Sequence, residues 1–495
     1  MEAYSITDLQ RDYASGARTC EQVVTEYLAR IAAYNGRVNA VISINPDALT
    51  IAKQRDVDRN QGMPLGQLHG VPVLIKDNID TRDPVPTTAG SLALSNNFAR
   101  EDATVVARLR EAGAVVLGKT NLSEWANFRG MRSVSGWSSA GGLTRNPHVL
   151  NRSACGSSSG SGAAVAANFC VVALGTETDG SIICPAQTNG IVGVKPTLGW
   201  VSRTGIIPIA PSQDTAGPMT RTVTDAAILL EAMAAVDSTD AATDGSRGRD
   251  TDFTSQLHRN RLVGARIGIA RDWSGKDARL QQHLDTCIAE LEAAGAEVID
   301  PVETLSSDSF TDAELKVLYY EYKAALNQYL QDTPDTVPVA SIDDLIAWNT
   351  EHHQDTMQYF GQEHLIAAAA QGDLSSKEYL DALAFGRRKA GAEGIDAVLN
   401  QHRLDAVVTL SGGPAWTIDM VLGDHHASEI DSTSAAAVSG NPHVTVPSGL
   451  VAGLPVGLSF IGAAWQDAKL LGLAYAFEQQ MQGRVAPTFI PSLEP

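Results

Sequence analysis

One stretch of the chain, residues 151–196, limits the possible folds more than any other. It opens with glycines and serines at residues 156–162, which predict a loop because glycine weakens the interior of a helix or strand. An apolar segment at residues 163–174 predicts a buried element, and a polar turn follows at residues 175–181. This order can bring two serine hydroxyls to one place. The alternative is an ordinary Gly/Ser linker beside a core strand. A phosphate-binding loop is not predicted, since no Gly-Lys-Ser/Thr follows.

A second feature is an apolar strand, residues 70–76, that ends in Lys76. A helix is predicted at residues 102–113 and a further strand at 114–121, and this alternation predicts an α/β protein with helices covering the sheet. The run before Lys76 is apolar on both faces, as in a strand of a covered sheet. We therefore expect Lys76 among polar groups at the edge of the sheet. Burial should lower its pKa, and Asp77 should turn away from it.

The remaining elements follow from local patterns. Thr19 and Gln22 predict a capping box at the start of a helix, and residues 311–400 predict a mostly helical layer. Strand patterns resume at residues 404–410. The aromatic side chains of the polar segment at residues 121–142 either line a pocket or pack in the core, and the sequence leaves both open.

Histidine is the usual base for a serine nucleophile, but no histidine here stands in a suitable pattern. There is no Gly-X-Ser-X-Gly motif and no His-Glu-X-X-His motif. The histidines at 352–353 and 364 lack metal-ligand spacing to a third donor, and the pair at 425–426 falls in a predicted loop. A serine nucleophile in this chain therefore needs another base. No metal site and no cofactor is predicted.

Charge and cysteine content restrict the partners and the compartment. The chain has 37 Lys and Arg against 57 Asp and Glu, a net charge of −20, which argues against nucleic acids and anionic membranes as partners. The N-terminus lacks the pattern of a signal peptide, and no apolar run is long enough to span a bilayer. We therefore expect a cytoplasmic protein; its oligomeric state cannot be predicted. Five scattered cysteines without a CxxC pair predict reduced, buried thiols: Cys20, Cys155, Cys170, Cys184 and Cys287.

Three motifs carry a resemblance to a known family. CGSSSGSGAA, ALGTETDGSIICPA and the upstream LHGVPVLIKDNID are similar to the signature of the amidase signature family of serine hydrolases. The similarity covers nearly the whole chain, and TNLSEWANFRG with TETDGSI is most like bacterial peptide amidases. The resemblance implies the amidase signature fold, a mixed, twisted central β-sheet covered by α-helices. It also implies a single domain over residues 1–495, with the signature core at about 70–235 and the helical layer at about 275–400.

The resemblance also implies the roles of individual residues. Ser181 matches the nucleophile, Ser157 the bridging serine held by a cis peptide, and Lys76 the base. A neutral lysine can accept a proton from one serine while that serine accepts a proton from the other. Backbone amides beside the nucleophile can bind the developing oxyanion, and a further residue is expected to contact substrate. These oxyanion and substrate-binding residues are Thr178, Asp179, Gly180, Ser181 and Asn127.

The nucleophile turn departs from the common family pattern at two positions. Many members have Gly-Gly-Ser-Ile-Arg, whereas this chain has Asp179 in place of one glycine and Ile183 in place of the arginine. Amidotransferase subunits that hydrolyse glutamine generally carry the arginine form. The resemblance therefore implies hydrolysis of a C-terminal amide of a short peptide or of an N-acyl amino acid amide, with release of ammonia. The alternatives are a broad aliphatic or aryl-amide amidase, an amidotransferase subunit and a catalytically silent binding protein.

Overall fold

The structure, a computed structural model, describes residues 3–425 and 431–493. Within these ranges, eleven strands form one mixed sheet and two more form a small antiparallel pair. The strands are β1 (Val41–Ile44), β2 (Pro72–Lys76), β3 (Val115–Thr120), β4 (Trp137–Ser138), β5 (Gly142–Leu143), β6 (Val172–Glu177), β7 (Val192–Lys195), β8 (Thr215–Thr220), β9 (Arg266–Ile269), β10 (Glu297–Ile299), β11 (Ala406–Leu410), β12 (His443–Val451) and β13 (Leu454–Ile461).

Helices pack on this sheet, which confirms the predicted α/β class. One large buried core joins the sheet to helices near both ends of the chain. The helices are α1 (Ile6–Ser15), α2 (Cys20–Val38), α3 (Ala48–Asn60), α4 (Thr104–Glu111), α5 (Ser159–Ala166), α6 (Ile183–Thr188), α7 (Val223–Met233), α8 (Ala278–Ala293), α9 (Thr311–Gln331), α10 (Ile342–Glu351), α11 (His353–Thr356), α12 (Glu363–Ala369), α13 (Lys377–Arg387), α14 (Asp396–His402), α15 (Ser434–Ser439) and α16 (Asp467–Met481).

The strand order explains how distant segments meet. In the large sheet the order is β1-β3-β2-β6-β8-β7-β12-β13-β11-β9-β10. Strands β2 and β6 are parallel neighbours, with Val73 opposite Val172 and Ile75 opposite Leu174. Carboxyl ends of parallel strands lie at the same edge of a sheet. The residue that ends β2, Lys76, therefore lies beside the end of β6, where the polar turn begins.

Most of the predicted local elements are present. Thr19 and Gln22 form both halves of the capping box at the start of α2. The sequence reading missed α1, which Ser5 and Asp8 cap in the same way. Between residues 311 and 402 the described chain is mainly helical, as expected.

The Gly/Ser run at residues 156–162 is not entirely a loop, which corrects the prediction. Helix α5 begins at Ser159, and all eight of its residues are buried. Only small residues fit there: a Cβ on Gly160 would lie 2.4 Å from the carbonyl oxygens of Ala40 and Asn121. Close packing therefore outweighs the low helix propensity of glycine and serine. The apolar run at residues 163–174 is likewise divided between α5 and β6.

The prediction that all five cysteines are reduced is wrong for two of them. Cys155 and Cys184 form a disulfide, although 29 positions separate them in sequence. The segment before α5 and the start of α6 meet in the fold, where Ser158 N–H donates to the Ser181 carbonyl at 3.2 Å. Spacing in the sequence could not show this contact. The other three cysteines are free and buried, as predicted.

The sequence left open whether the aromatic side chains of residues 121–142 line a pocket or pack in the core, and the structure shows both roles. Trp125 and Trp137 are buried in apolar clusters, Trp125 beside residues of the helical layer and Trp137 beside Phe360. Phe128 packs in the first of these clusters and also lines a cleft. In the described part of the chain, no helix is long and apolar enough to cross a membrane.

Candidate active site

A cleft of about 390 Å³ lies above the carboxyl ends of β2 and β6. Its base is the polar turn of residues 178–181, and one side carries Phe128, Ile209 and Leu318. Another side is built from one serine, two glycines and a proline at residues 411–414. Among the described residues that line the cleft, Asp179 alone bears an ionisable acid or base. The cleft is therefore part polar and part apolar, and the described residues place no cation at its surface.

Lys76 lies directly beneath this turn and is completely buried. Its Nζ is 2.7 Å from Ser157 Oγ and 2.8 Å from Thr176 Oγ1, and it donates to the Thr176 carbonyl at 3.2 Å. Asn78 donates to the same Thr176 hydroxyl at 3.0 Å. These contacts hold the lysine amine against Ser157. Asn78, next but one to the lysine in sequence, and Thr176, which the sequence reading did not single out, fix its position.

Burial lowers the pKa of Lys76 well below its ordinary value, against the opposing carboxylates of Glu177 and Asp214. Asp77, next in sequence, lies on the opposite face of the strand and faces Lys119, with Asp77 Oδ1 3.7 Å from Lys119 Nζ. Burial raises the pKa of Asp77 to about 6, although Lys119 opposes this shift. The predicted burial of Lys76 and the turned-away position of Asp77 are both present, and the lowered pKa favours the neutral amine of Lys76.

Ser157 joins the lysine to the cleft. The peptide bond between Gly156 and Ser157 is cis. The Ser157 side chain is fully buried, whereas Gly156 lines the cleft. Ser158 donates its hydroxyl to the Thr176 carbonyl at 3.1 Å and so holds the loop against the end of β6. Lys76 and Ser157 thus lie together below the turn that carries Ser181.

Ser181 is 8% exposed and lines the cleft at the end of this turn. Gly180 before it has a φ of +74°, a left-handed conformation that favours glycine. The Glu177 carboxylate accepts the backbone N–H groups of Ile182 at 2.7 Å and Ile183 at 3.0 Å. Glu177 therefore clamps both sides of the turn together. Sequence reasoning missed this residue; its place four positions before the predicted nucleophile was the available signal.

Asp179 faces the cleft one position before Gly180. Its carboxylate accepts a hydrogen bond from Ser434 Oγ at 2.7 Å. Glu314 lies in hydrogen-bonding contact with it, and burial together with this second carboxyl raises the pKa of Glu314 well above its ordinary value. Burial also raises the pKa of Asp179, against the hydrogen bond from Ser434. This contact raises the pKa of Glu314 and opposes the rise in the pKa of Asp179, so Glu314 holds a proton more readily than Asp179 does.

Two other predicted residues also line the cleft. Thr178 donates its hydroxyl to Asp214 at 2.5 Å, which anchors the start of the turn. Asn127 follows Trp125 and Ala126, and all three residues have a positive φ. The side-chain oxygen of Asn127 accepts no hydrogen bond from the described residues. Every predicted oxyanion or substrate-binding residue therefore lies at one cleft.

Histidines lie elsewhere, as far as the structure describes them. His443 is buried in β12 and bonds to Ser459 Oγ at 2.5 Å; burial lowers its pKa to about 3. His425 is exposed and pairs with Asp419. His426 lies outside the described residues. None of the described histidines lines the cleft.

This arrangement contains the parts that acyl transfer requires. A hydroxyl is exposed in a cleft, and a second hydroxyl lies on a buried amine whose neutral form burial favours. A turn with an open glycine offers backbone amides where negative charge develops on a carbonyl oxygen. The site can therefore support attack on an ester or amide carbonyl without a histidine.

Comparisons with known proteins agree with this geometry. The amidase family profile matches residues 22–471. A solved peptide amidase, PAM, in complex with the competitive inhibitor chymostatin is 49% identical with a TM-score of 0.94, over 98% of this chain and 99% of that one. Native peptide amidase from Stenotrophomonas maltophilia is 48% identical with a TM-score of 0.92, over 98% of both chains. A probable amidase from Arabidopsis thaliana is 38% identical over 98% of this chain and 91% of its own length.

Proposed function

The chain belongs to the amidase signature family, and we propose that this enzyme hydrolyses the C-terminal carboxamide of short peptides or of N-acyl amino acid amides. The products are ammonia and the free acid. The observation that carries the proposal is the contact between the buried amine of Lys76 and the hydroxyl of Ser157 below Ser181. Broad hydrolysis of aliphatic or aryl amides is the alternative within the same family.

In the proposed mechanism Ser181 Oγ attacks the amide carbonyl and gives its proton to Ser157. Ser157 passes its own proton to the neutral amine of Lys76. The amides of residues 178–181 receive the negative charge that develops on the carbonyl oxygen. The relay then returns a proton to the nitrogen, ammonia leaves, and an acyl group remains on Ser181. Water, activated by the same relay, releases the acid.

Three features support a peptide-like substrate. The solved peptide amidases are nearly half identical to this chain over almost its full length. Asp179 stands beside the nucleophile as a carboxyl that can accept a backbone N–H from the substrate. Ile183 replaces the arginine that is common in the family. With no cation lining the described cleft, a substrate that is neutral around the amide fits best.

Ammonia release by the purified chain alone tests the proposal. The panel is an N-acetyl dipeptide amide, an aliphatic amide, an anilide and glutamine. We expect kcat/KM for the dipeptide amide to exceed each of the others at least 100-fold. Comparable values for the aliphatic amide or anilide would favour the broad amidase. Glutamine hydrolysis only with a partner protein would indicate an amidotransferase subunit.

Asp179→Asn tests the contact with the substrate N–H. This variant removes the negative charge while keeping the size of the side chain and its bond to Ser434. We expect KM for the dipeptide amide to rise about tenfold, roughly 1.4 kcal/mol, with little change for an aliphatic amide. Equal changes for both substrates would assign Asp179 to the turn rather than to substrate binding.

A further inference from the structure

A disulfide forms part of the wall of the cleft, between the segment of Ser157 and the turn of Ser181. We propose that the Cys155–Cys184 disulfide is a positioning link that keeps these two serines aligned for proton transfer, so that its reduction slows turnover. This inference rests on the proposed function.

The positions of the two half-cystines point to this role. Cys155 comes two residues before Ser157, and Cys184 comes three residues after Ser181. Both half-cystines line the cleft. One covalent bond therefore joins the two chain segments that bring the serines together. The other three cysteines are buried and free, so this is the single disulfide among the described cysteines.

Each half-cystine is held firmly to its own segment. Cys155 N–H donates to Ser153 Oγ at 3.0 Å, and the Cys155 carbonyl accepts the Ser159 hydroxyl at 2.5 Å. Cys184 N–H donates to the Gly180 carbonyl at 2.8 Å. If either sulfur moves, the backbone beside Ser157 or Ser181 therefore moves with it.

Non-covalent contacts also cross between the segments, at the C-terminal end of α6. Asn189 Nδ2 and Thr188 Oγ1 both donate to the Ala154 carbonyl, at 2.9 Å and 3.1 Å. These contacts keep the segments together when the disulfide is opened. Reduction should accordingly loosen the alignment of Ser157 and Ser181 without unfolding the chain. Misplacement of about 1 Å at reacting groups can cost roughly 100-fold in rate.

The disulfide can be reached from the cleft. Cys184 is partly exposed and Cys155 is 4% exposed. A small dithiol can enter, and its thiolate attacks one sulfur to form a mixed disulfide and release the other cysteine as a thiolate. The second thiol of the reagent then closes its own ring, which frees the remaining cysteine. Two electrons pass from the reagent to the enzyme disulfide, and the enzyme gains two thiols.

The experiment compares oxidised and dithiothreitol-reduced enzyme by two readouts. One is kcat and KM on an N-acetyl dipeptide amide, and the other is the rate at which a small fluorophosphonate labels Ser181. We expect kcat and the labelling rate to fall at least tenfold, with KM within threefold and circular dichroism unchanged. Reoxidation should restore both rates. An amide-like competitive inhibitor in the cleft should slow the reduction.

Two variants serve as controls. Cys155→Ser/Cys184→Ser should begin with the low rates and show no further response to the reductant. Cys287→Ser removes a buried free thiol on α8 and should keep the full response of the native enzyme.

Two results would contradict the positioning role, and a third would separate it from the proposed function. Reduced enzyme with kcat and labelling rate within threefold of the oxidised enzyme contradicts the positioning role. Loss of native circular dichroism on reduction also contradicts it, because the disulfide would then hold the fold. If oxidised enzyme releases no ammonia but its labelling rate falls on reduction, the positioning role stands and the proposed substrate is wrong.

Discussion

Replacing Lys76 by methionine should abolish activity and yet make the protein more stable at pH 7. The Lys76 amine is fully buried, and burial lowers its pKa well below the ordinary value of 10.5. In the unfolded chain the same amine keeps its proton until about pH 10. At a pH between the folded and the unfolded pKa of Lys76, the unfolded state binds more protons than the folded state. Lys76 therefore reduces the free energy of unfolding, and the reduction grows as pH falls.

The size of the effect follows from the contacts of the amine. A lysine that is neutral at pH 7 and has an unfolded pKa of 10.5 costs about 5 kcal/mol, at about 1.4 kcal/mol per pH unit. Methionine removes that cost and also removes the contacts to Ser157 Oγ and to the hydroxyl and carbonyl of Thr176. Those contacts contribute about 1 kcal/mol each. The variant should be about 2 kcal/mol more stable at pH 7; the difference should vanish slightly above pH 8 and reverse by about 1 kcal/mol at pH 9.

Urea unfolding of both proteins at pH 7, 8 and 9 measures this difference. Ser157→Ala is the matched control, because it removes one contact of the amine without removing a titratable group, so its effect should not vary with pH. A methionine variant that is several kcal/mol less stable at every pH would refute the reasoning. Lys76 would then be an ammonium ion in the folded protein, held by Glu177 and Asp214.

Further predictions concern the relay, the turn and the absence of a metal requirement. Lys76→Arg cannot lose its proton at working pH and should be nearly as inactive as Lys76→Ala. If kcat/KM of Lys76→Arg lies within about tenfold of wild type, or 1.4 kcal/mol, Lys76 is not the base. Ser181→Ala should keep native circular dichroism but lose turnover and fluorophosphonate labelling, and retained labelling at a cysteine would identify another nucleophile. Glu177→Ala leaves the amides of Ile182 and Ile183 without their carboxylate and should lower the free energy of unfolding by about 3 kcal/mol in urea titration. Activity should survive EDTA, and a loss that zinc restores would mean that a metal site was overlooked.

Local patterns were sufficient to predict most of the elements that build the site. The apolar run that ends in Lys76 predicts a covered strand, and the capping box predicts the start of α2, because each depends on near neighbours in sequence. The turn that carries Gly180 and Ser181 is also marked by its own residues. The expected burial of Lys76 followed from the same apolar run.

Features that depend on contacts between distant segments were not predictable. Cys155 meets Cys184 only because the fold brings the start of α6 against the loop before α5. Gly160 lies in a helix because the neighbouring backbone leaves no room for a side chain. Glu314, far along the chain, contacts Asp179 through the packing of α9. No pattern in a single sequence specifies such pairs.

The measurement that tests the account most directly is the mass of the enzyme during turnover. Rapid mixing with an N-acyl amino acid p-nitrophenyl ester, whose good leaving group makes acylation faster than hydrolysis of the acyl-enzyme, followed by acid quenching and peptide mapping, should show one acyl group on Ser181. The same adduct should be absent from Ser181→Ala. Turnover without an adduct on Ser181, or an acyl group on another residue, would contradict the central claim that the amide is cleaved through Ser181.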